Sequence, residues 1–158
     1  MLEIMELYKE GFNEKVNIGE SIEYRGDKYI IIRILKIDKC WFSQSISLRV
    51  DVIVQKVGDT FDCSNYKREA TITYSYDQSK DCKEILKAGD VFWIEDINSN
   101  EGNLPYQVIS INKFYYEFVN LVVEYFIRLI VPWSQEEINE SLINERKSTF
   151  KVLEGGKV

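Results

Sequence analysis

The sequence contains no histidine, and this absence excludes several kinds of chemistry. Histidine is the commonest general base and the commonest metal ligand, so Ser-His-Asp and Cys-His catalysis are ruled out. The chain also lacks a glycine-rich loop of the kind that holds phosphate groups. These absences predict a protein that is not an enzyme and that uses no cofactor and no metal ion.

Cysteine and alanine are both scarce. The cysteines Cys40, Cys63 and Cys82 are odd in number and widely spaced, with no Cys-x-x-Cys pair. Disulfide frameworks and zinc sites use other spacings, so we expect free thiols in a reducing compartment. Alanine, the best helix former, occurs only at Ala70 and Ala88. Isoleucine, lysine and asparagine are common instead, a bias typical of AT-rich bacteria and their phages.

Positive charge is in the minority. The chain of 158 residues has a net charge of −6 and a pI near 4.9, and its lysines and arginines are scattered among the acids. Nucleic-acid-binding domains show a basic patch, so direct binding to nucleic acid or to an anionic membrane is disfavoured. No apolar leader follows a basic start, and polar residues interrupt residues 114–133, which argues against a membrane span. We expect the protein in the cytoplasm, or in the virion if a phage encodes it.

Alternation of apolar and polar residues predicts strands over residues 46–56 and 69–76. Segments rich in isoleucine and tyrosine predict two more strands, over residues 21–24 and 28–37. Arg25-Gly26-Asp27 joins these two segments and is typical of a tight hairpin turn. This turn chemistry explains the tripeptide better than a role in adhesion.

Residues 106–131 carry two conflicting patterns. Their polar residues recur at spacings of three and four, which indicates a helix, whereas their many Val, Ile, Phe and Tyr residues favour strands. An internal match favours the strand. Residues 46–54 align with 119–127, which places Leu48 over Leu121 and Asp51 over Glu124.

The same match extends along both halves of the chain. Residues 37–42 align with 111–116, and Gly19-Glu20 resembles Gly89-Asp90. The repeat predicts a mainly β fold, a barrel or sandwich made from two similar β-meander halves at about 18–56 and 88–128. We expect a single domain over residues 1–158.

Two short helices are expected to flank the β-strands. The N-terminal helix is indicated by apolar residues spaced three or four apart: Leu2, Met5, Tyr8 and Phe12. The C-terminal helix, at about 134–147, follows Pro132-Trp133. It begins with Ser134-Gln135-Glu136-Glu137, a capping box in which serine and glutamate satisfy free backbone amides.

The aromatic pairs Trp41-Phe42 and Tyr115-Tyr116 occupy equivalent places in the internal alignment. Adjacent strand residues point to opposite faces, so one ring of each pair should face outward. Core packing, a protein interface and a sugar-stacking platform all use such rings. The candidate interface residues are these four aromatics and three apolar residues of the C-terminal helix: Trp41, Phe42, Tyr115, Tyr116, Ile138, Leu142 and Ile143.

Two acidic groupings are weak candidates for sites. Asp51, Asp96, Glu101 and Glu124 include carboxylates of the type used in glycoside hydrolysis, but nothing in the sequence brings any two together. Residues 96–101 alternate oxygen ligands as a calcium loop does, but they lack the glycine that such a loop has at its sixth position. We expect neither grouping to form a site.

Abundant apolar and aromatic residues without catalytic features predict a non-catalytic structural, assembly or protein-interaction subunit. Such a subunit would associate with itself as a homo-oligomer or bind another protein, for example as a phage neck, tail or capsid-associated component. One alternative is an acidic inhibitor of a host defence or nucleic-acid-handling protein. Another is a carbohydrate-binding module that uses Trp41 and Tyr115.

Overall fold

Strands dominate the computed structural model, which describes residues 2–42, 45–59, 61–80, 83–94 and 104–155, without the side chains at 41, 42, 45 and 150–155. The chain divides into a first unit, residues 1–61 with 132–158, and a second unit, residues 62–131. The elements in chain order are β1 Leu2–Glu10, β2 Ser21–Tyr24, β3 Asp27–Phe42, β4 Ser45–Lys56, β5 Glu69–Asp77, β6 Val91–Trp93, β7 Pro105–Glu117, β8 Asn120–Leu129 and α1 Gln135–Gly155.

The first unit contains a four-stranded antiparallel sheet with strand order β1-β4-β3-β2. The predicted hairpin between β2 and β3 is confirmed. Its turn residues Arg25 and Gly26 have φ angles of 53° and 86°, the left-handed geometry that suits a two-residue hairpin. Along β3 the register shifts past Ile32 and past Leu35, so this strand bulges twice.

The second unit contains another four-stranded antiparallel sheet, with order β5-β8-β7-β6. The predicted strands at 69–76 and 119–127 are confirmed as β5 and β8. Along β7 the register shifts past Ile109 and past Asn112, the same spacing of bulges as in β3. Gly19 and Gly89, which precede β2 and β6, both have φ of 94°.

The pairing register of β3 with β4, compared with that of β7 with β8, defines which positions of the two sheets correspond. Leu48 of β4 pairs with Lys39, whereas Leu121 of β8 pairs with Tyr116. The two predicted alignments therefore cannot both hold. The equal spacing of the bulges in β3 and β7 agrees with the alignment of β4 with β8, so the alignment of 37–42 with 111–116 is wrong. Tyr115 and Tyr116 correspond to Asp38 and Lys39. The reason is that the β3–β4 hairpin extends two residue pairs further, to Phe42↔Ser45, than the β7–β8 hairpin does.

The predicted N-terminal helix is also wrong, because residues 2–10 form β1. Its residues pair along most of β4, from Leu2↔Gln55 to Glu10↔Ser47. Met5 and Leu7 pack against the core of the first sheet. Pairing with a neighbouring strand satisfies the backbone of β4 and outweighs the local helical spacing of the apolar residues.

The cores of the two units differ in their side chains. Alternate aliphatic residues of β4 fill the first core together with Tyr29 and Ile31. The second core adds a group of aromatic rings to its aliphatic residues, with Tyr125 fully buried. The ring centroid of Tyr74 lies 6.0 Å from that of Phe92 and 6.3 Å from that of Tyr125. Tilted and edge-on contacts of this kind add to the burial of the rings.

The predicted C-terminal helix and its capping box are confirmed, and α1 extends to Gly155. The Glu137 N–H donates to Ser134 Oγ at 3.2 Å, and the Ser134 N–H donates to Glu137 Oε2 at 2.7 Å. Ser141 Oγ donates to the Gly19 carbonyl at 2.8 Å, and Ser21 Oγ donates to Glu145 at 2.7 Å. These contacts attach the helix to the turn before β2.

A buried glutamine also holds the segment before the helix. Gln55, fully buried at the end of β4, accepts from the Trp133 N–H at 2.7 Å and donates to the Trp133 carbonyl at 2.9 Å. Its side-chain amide thus takes the place of a neighbouring strand for Trp133. Since both groups of Trp133 are satisfied in this way, the segment is fixed to β4.

Candidate interaction surface

Where the second unit is described, its most exposed apolar segment is the distal part of β7 with the turn that follows it, residues 109–119, here called the distal arm. Phe114 is 68% exposed, Tyr116 is 63% exposed and Phe118 is fully exposed. Ile111, Tyr115 and Val119 are exposed as well. Contiguous exposed apolar side chains are unusual on a monomer and mark interaction sites.

The arm is exposed because its neighbouring strand is short. β6 pairs only with Pro105, Tyr106 and Gln107, and the turn before it bonds to both backbone groups of Val108. In the described part of the chain, no strand pairs with the outer side of residues 109–117, which we call the free edge. Nine residues of strand span about 30 Å. Backbone donors and acceptors along such an edge can pair with another strand.

The two faces of the arm both carry aromatic rings. Phe114 and Tyr116 lie opposite Val123 and Leu121, on the face that contains the aromatic core. Tyr115 lies opposite Val122 on the other face. The only side chains of the free edge that are charged at neutral pH are Lys113 and Glu117. An edge with so few charges is poorly protected against pairing with another chain.

The turn at the tip of the arm combines exposure with backbone strain. Phe118 occupies the first position of the two-residue turn between Glu117 and Asn120, with φ of 55°. Glycine, asparagine and aspartate are the residues that favour this left-handed conformation in a hairpin. A bulky apolar residue therefore costs free energy here twice, in backbone strain and in exposure.

Of the aromatic candidates, Tyr115 and Tyr116 lie in the middle of the distal arm, on opposite faces. Trp41 and Phe42 belong to β3, but their side chains are outside the described residues.

The helix candidates divide by burial. Ile138 is fully buried, so it cannot contribute to a surface. Leu142 is half-buried, and Ile143 is exposed.

A charged cluster lies in the first sheet around Asp38, the residue that corresponds to Tyr115 of the arm. Asp38 accepts from Lys36 Nζ at 2.9 Å and from Arg49 at 3.2 Å. The hydrogen bond from Lys36 is the main reason why the pKa of Asp38 is lowered. Arg49 Nε also lies 3.5 Å from Glu6. Opposite charges offset one another in this cluster, although Arg49 Nε itself is shielded from solvent and makes no hydrogen bond.

A polar groove of about 550 Å³ lies between residues 15–20 and α1. Its wall includes Asn17, Glu20, Ser141 and Glu145. These groups bond to one another or to the neighbouring backbone, since Asn17 donates to Glu20 at 2.8 Å and Ser141 donates to Gly19. The polar side chains of the groove therefore serve to attach α1 to residues 15–20.

The remaining predicted sites give little chemistry. Cys40 and Cys63 are free thiols, as predicted, and Cys82 lies outside the described residues. Residues 96–101, which resemble a calcium loop but were not expected to form one, lie outside the described residues too. Glu124 lies 3.8 Å from Lys113 as part of a surface ion pair. Groups of three or more acidic, Cys or His side chains that could hold a metal are not found where the structure describes the chain.

The only helix of the described chain is too polar to cross a bilayer.

Comparison with known proteins identifies no relative. No protein-family model matches the chain, and neither the curated proteins nor the solved structures include a match.

Sequence reasoning found two of the arm's residues, Tyr115 and Tyr116, and missed Phe114 and Phe118. The available signal was the density of aromatic residues in 114–118 with few charges beside them. Apolar runs of this kind are equally typical of a buried strand, so exposure could not be read from the sequence.

Proposed function

We propose that this protein is a non-catalytic interaction or assembly subunit that binds protein through the distal arm. The observation that carries the proposal is Phe118, a fully exposed aromatic side chain with a left-handed backbone at the tip of a hairpin. Folding alone favours glycine or asparagine at this position. A partner that buries the ring would offset the cost of both the strain and the exposure.

Neighbouring residues support the same proposal. Phe114 and Tyr116 extend the apolar surface from the tip along one face of β7, and Tyr115 extends it along the other. Exposed aromatic side chains are the residues that most often dominate protein interfaces. The net charge of −6 disfavours an anionic membrane or nucleic acid as the partner.

Site-specific photocrosslinking tests the proposal. The photoreactive residue p-benzoylphenylalanine is placed at position 118 and the protein is irradiated in its natural cells. We expect discrete protein adducts, and we expect excess wild-type protein to compete for them while a Phe114→Ser, Tyr116→Ser variant does not.

The matched control is the same residue at position 12, since Phe12 is 87% exposed in the first unit. Identical adducts from both positions, or none from position 118, would contradict the proposal.

Bias toward isoleucine, lysine and asparagine extends the proposal to a phage virion subunit in the neck, the tail or the capsid. Virion structural genes on both sides of the coding sequence would support this setting. Neighbouring genes of unrelated metabolism would count against it.

We infer that the two sheets descend from one duplicated strand unit, and closure of the fold as a barrel or sandwich stays a prediction. Equal strand order, equal bulge spacing and the paired turns at Gly19 and Gly89 support the inference. The Gly19 N–H donates to Ile31 and the Gly89 N–H donates to Val108, both at 2.8 Å. An experimental structure in which the sheets superpose only with other residue pairs would contradict it.

A further inference from the structure

Five residues near the end of the distal arm form a pattern of charges and rings that would complement a second, antiparallel copy of itself. The run Lys113-Phe114-Tyr115-Tyr116-Glu117 has a positive charge at one end, a negative charge at the other and three aromatic rings between them. Two antiparallel copies centred on Tyr115 would place lysine opposite glutamate in both directions. Parallel copies would place like charges together. Opposite charges across a strand pair are stabilising, and like charges are destabilising.

The backbone of the arm has the direction that such a pairing needs. Glu117 and Asn120 flank the two-residue turn, so they form a hydrogen-bonded pair, and pairs alternate from there along β8. Lys113, Tyr115 and Glu117 therefore direct their N–H and C=O groups toward β8. Phe114 and Tyr116 direct theirs toward the free edge.

The same alternation is visible further along β7. The Val108 N–H donates to Asp90 at 2.9 Å, and its carbonyl accepts from Gly89 at 2.8 Å, both on the outer side of the strand. Val108 lies opposite Ile127, on the same face as Phe114 and Tyr116. Since β8 pairs without interruption from Asn120 to Leu129, residues on this face share one hydrogen-bonding direction.

We propose that a second copy of this chain pairs with the free edge, β7 against β7 in antiparallel orientation, with Tyr115 on the two-fold axis. Phe114 of each copy exchanges two backbone hydrogen bonds with Tyr116 of the other. The two Tyr115 side chains meet in a non-hydrogen-bonded pair, the type in which side chains approach most closely. Lys113 of each copy faces Glu117 of the other.

The free edge is long enough for this arrangement. In the proposed register Phe118 of the second copy lies beside Asn112, and Val119 lies beside Ile111. The turn of the second copy then ends before Val108, where the segment preceding β6 bonds to β7. Phe118 thereby gains a neighbouring chain, which accounts for the exposed ring at the tip.

The corresponding edge of the first sheet does not suit self-pairing. Asp38 corresponds to Tyr115, so an equivalent two-fold axis would bring two aspartates together. Ile37 would face Lys39 of the other copy. Like charges opposite one another oppose association. A second copy is therefore expected to pair with the edge of β7 and not with the edge of β3.

This inference rests on the proposed function for its surface but names its own partner. Charge reversal tests it. The proposed dimer contains two pairs of Lys113 with Glu117. Lys113→Glu turns both into pairs of glutamates, and Glu117→Lys turns both into pairs of lysines. We expect each variant alone to dimerise about tenfold more weakly than wild type by sedimentation velocity.

Mixing the two variants restores opposite charges in both pairs between positions 113 and 117. We therefore expect a heterodimer with about the same affinity as the wild-type dimer. Recovery on mixing also shows that each variant is folded. The matched control is Lys36→Glu, which makes the same charge change at the corresponding position of β3. It should leave dimerisation unchanged.

A wild-type protein that stays monomeric over about a hundredfold range of concentration would overturn the inference. So would a dimer that is insensitive to both reversals, or singly weakened variants that fail to recover on mixing. Because photocrosslinking from position 118 to a different protein would persist in each of these cases, failure of the self-pairing is distinguishable from failure of the proposed function.

Discussion

The two sheets share one pattern of strand pairing but carry different side chains at corresponding positions. Asp38 and Lys39 of β3 correspond to Tyr115 and Tyr116 of β7, and Lys9 of β1 corresponds to Tyr76 of β5. Charge at a strand end protects an edge from pairing, whereas aromatic residues invite contact. The comparison teaches that strand order does not determine what a sheet edge does; the residues on that edge do.

A second difference lies at the opposite end of the central strands. Gln55 of β4 is fully buried and holds Trp133, whereas the corresponding Arg128 of β8 is exposed and pairs with Glu69 at 3.0 Å. The first unit thus uses this end to attach the chain that leads to α1. The second unit has an ordinary surface ion pair there.

The largest expected effect comes from breaking the attachment at Gln55. Gln55→Met keeps the side-chain length but leaves the half-buried Trp133 N–H and carbonyl without their partners. We expect the free energy of unfolding to fall by about 3 kcal/mol, measured by urea denaturation.

Arg128→Met is the matched control at the corresponding position. It removes an exposed ion pair and should change stability by about 0.5 kcal/mol or less. Equal effects of the two substitutions would show that Gln55 does not anchor the helix segment.

The turns before β2 and β6 give the next comparison. Gly19 and Gly89 both have φ of 94°, but a Cβ at Gly19 would lie 2.6 Å from Ser141 Oγ, whereas a Cβ at Gly89 meets no atom within 4 Å in the described structure. Both alanine variants should lose about 1–2 kcal/mol through backbone strain.

Gly19→Ala should lose about 1 kcal/mol more, because the hydrogen bond from Ser141 is broken as well. Thermal unfolding of the two variants checks the difference. A larger loss for Gly89→Ala would contradict the position of α1 against the first sheet.

Strong local patterns made most of the fold predictable. Alternation in β4, with Ile53 as its one exception, and in β5 predicted strands, and the capping box at Ser134 predicted the start of α1. The alignment of β3 with β7 failed because the first hairpin is two residue pairs longer than the second, and this difference leaves no trace in the apolar pattern. Register depends on such features as well as on alternation.

Long-range contacts account for the other failures. β1 was mistaken for a helix because its partner, β4, lies some forty-five residues away in sequence. Gln55 belongs to a polar position of an alternating strand, so its burial against Trp133 could not be read from local sequence. Phe118 was missed because a left-handed phenylalanine is contrary to ordinary turn chemistry.

Alkaline pH should destabilise the second unit through its aromatic core. Burial, and then the hydrogen bond with Tyr76 at 2.9 Å, raise the pKa of Tyr125 well above its ordinary value. Above about pH 10 the unfolded chain releases a proton that folded Tyr125 keeps, so stability falls as pH rises. Below that pH the contribution is fully present.

Tyr125→Phe removes this proton and one hydrogen bond. It should cost about 1 kcal/mol at neutral pH and flatten the alkaline decline, measured by urea denaturation at several pH values. Tyr76→Phe is the comparison, since it keeps Tyr125 ionisable and removes the same hydroxyl contact. An unchanged alkaline slope in Tyr125→Phe would contradict the assignment.

The smallest expected effect is a gain in stability. Phe118→Gly relieves the left-handed backbone and removes an exposed ring, so we expect about 0.5–1 kcal/mol of stabilisation with weaker self-association. Arg25→Gly makes the same backbone change in the first sheet, where φ is 53°. It should give a similar gain in thermal stability and leave association unchanged. A loss of stability in Phe118→Gly would show that the ring supports the fold.

Amide hydrogen exchange followed by NMR at low and high protein concentration tests the central claim most directly. The account predicts that the outward amides of Phe114 and Tyr116 become protected as concentration rises, while Lys113 and Tyr115, bonded to β8, are protected throughout. The corresponding outward amides of Ile37 and Lys39 in the first sheet should exchange at the same rate at both concentrations. Protection that does not change at Phe114 and Tyr116, or that rises equally at Ile37 and Lys39, would contradict the difference between the two sheet edges.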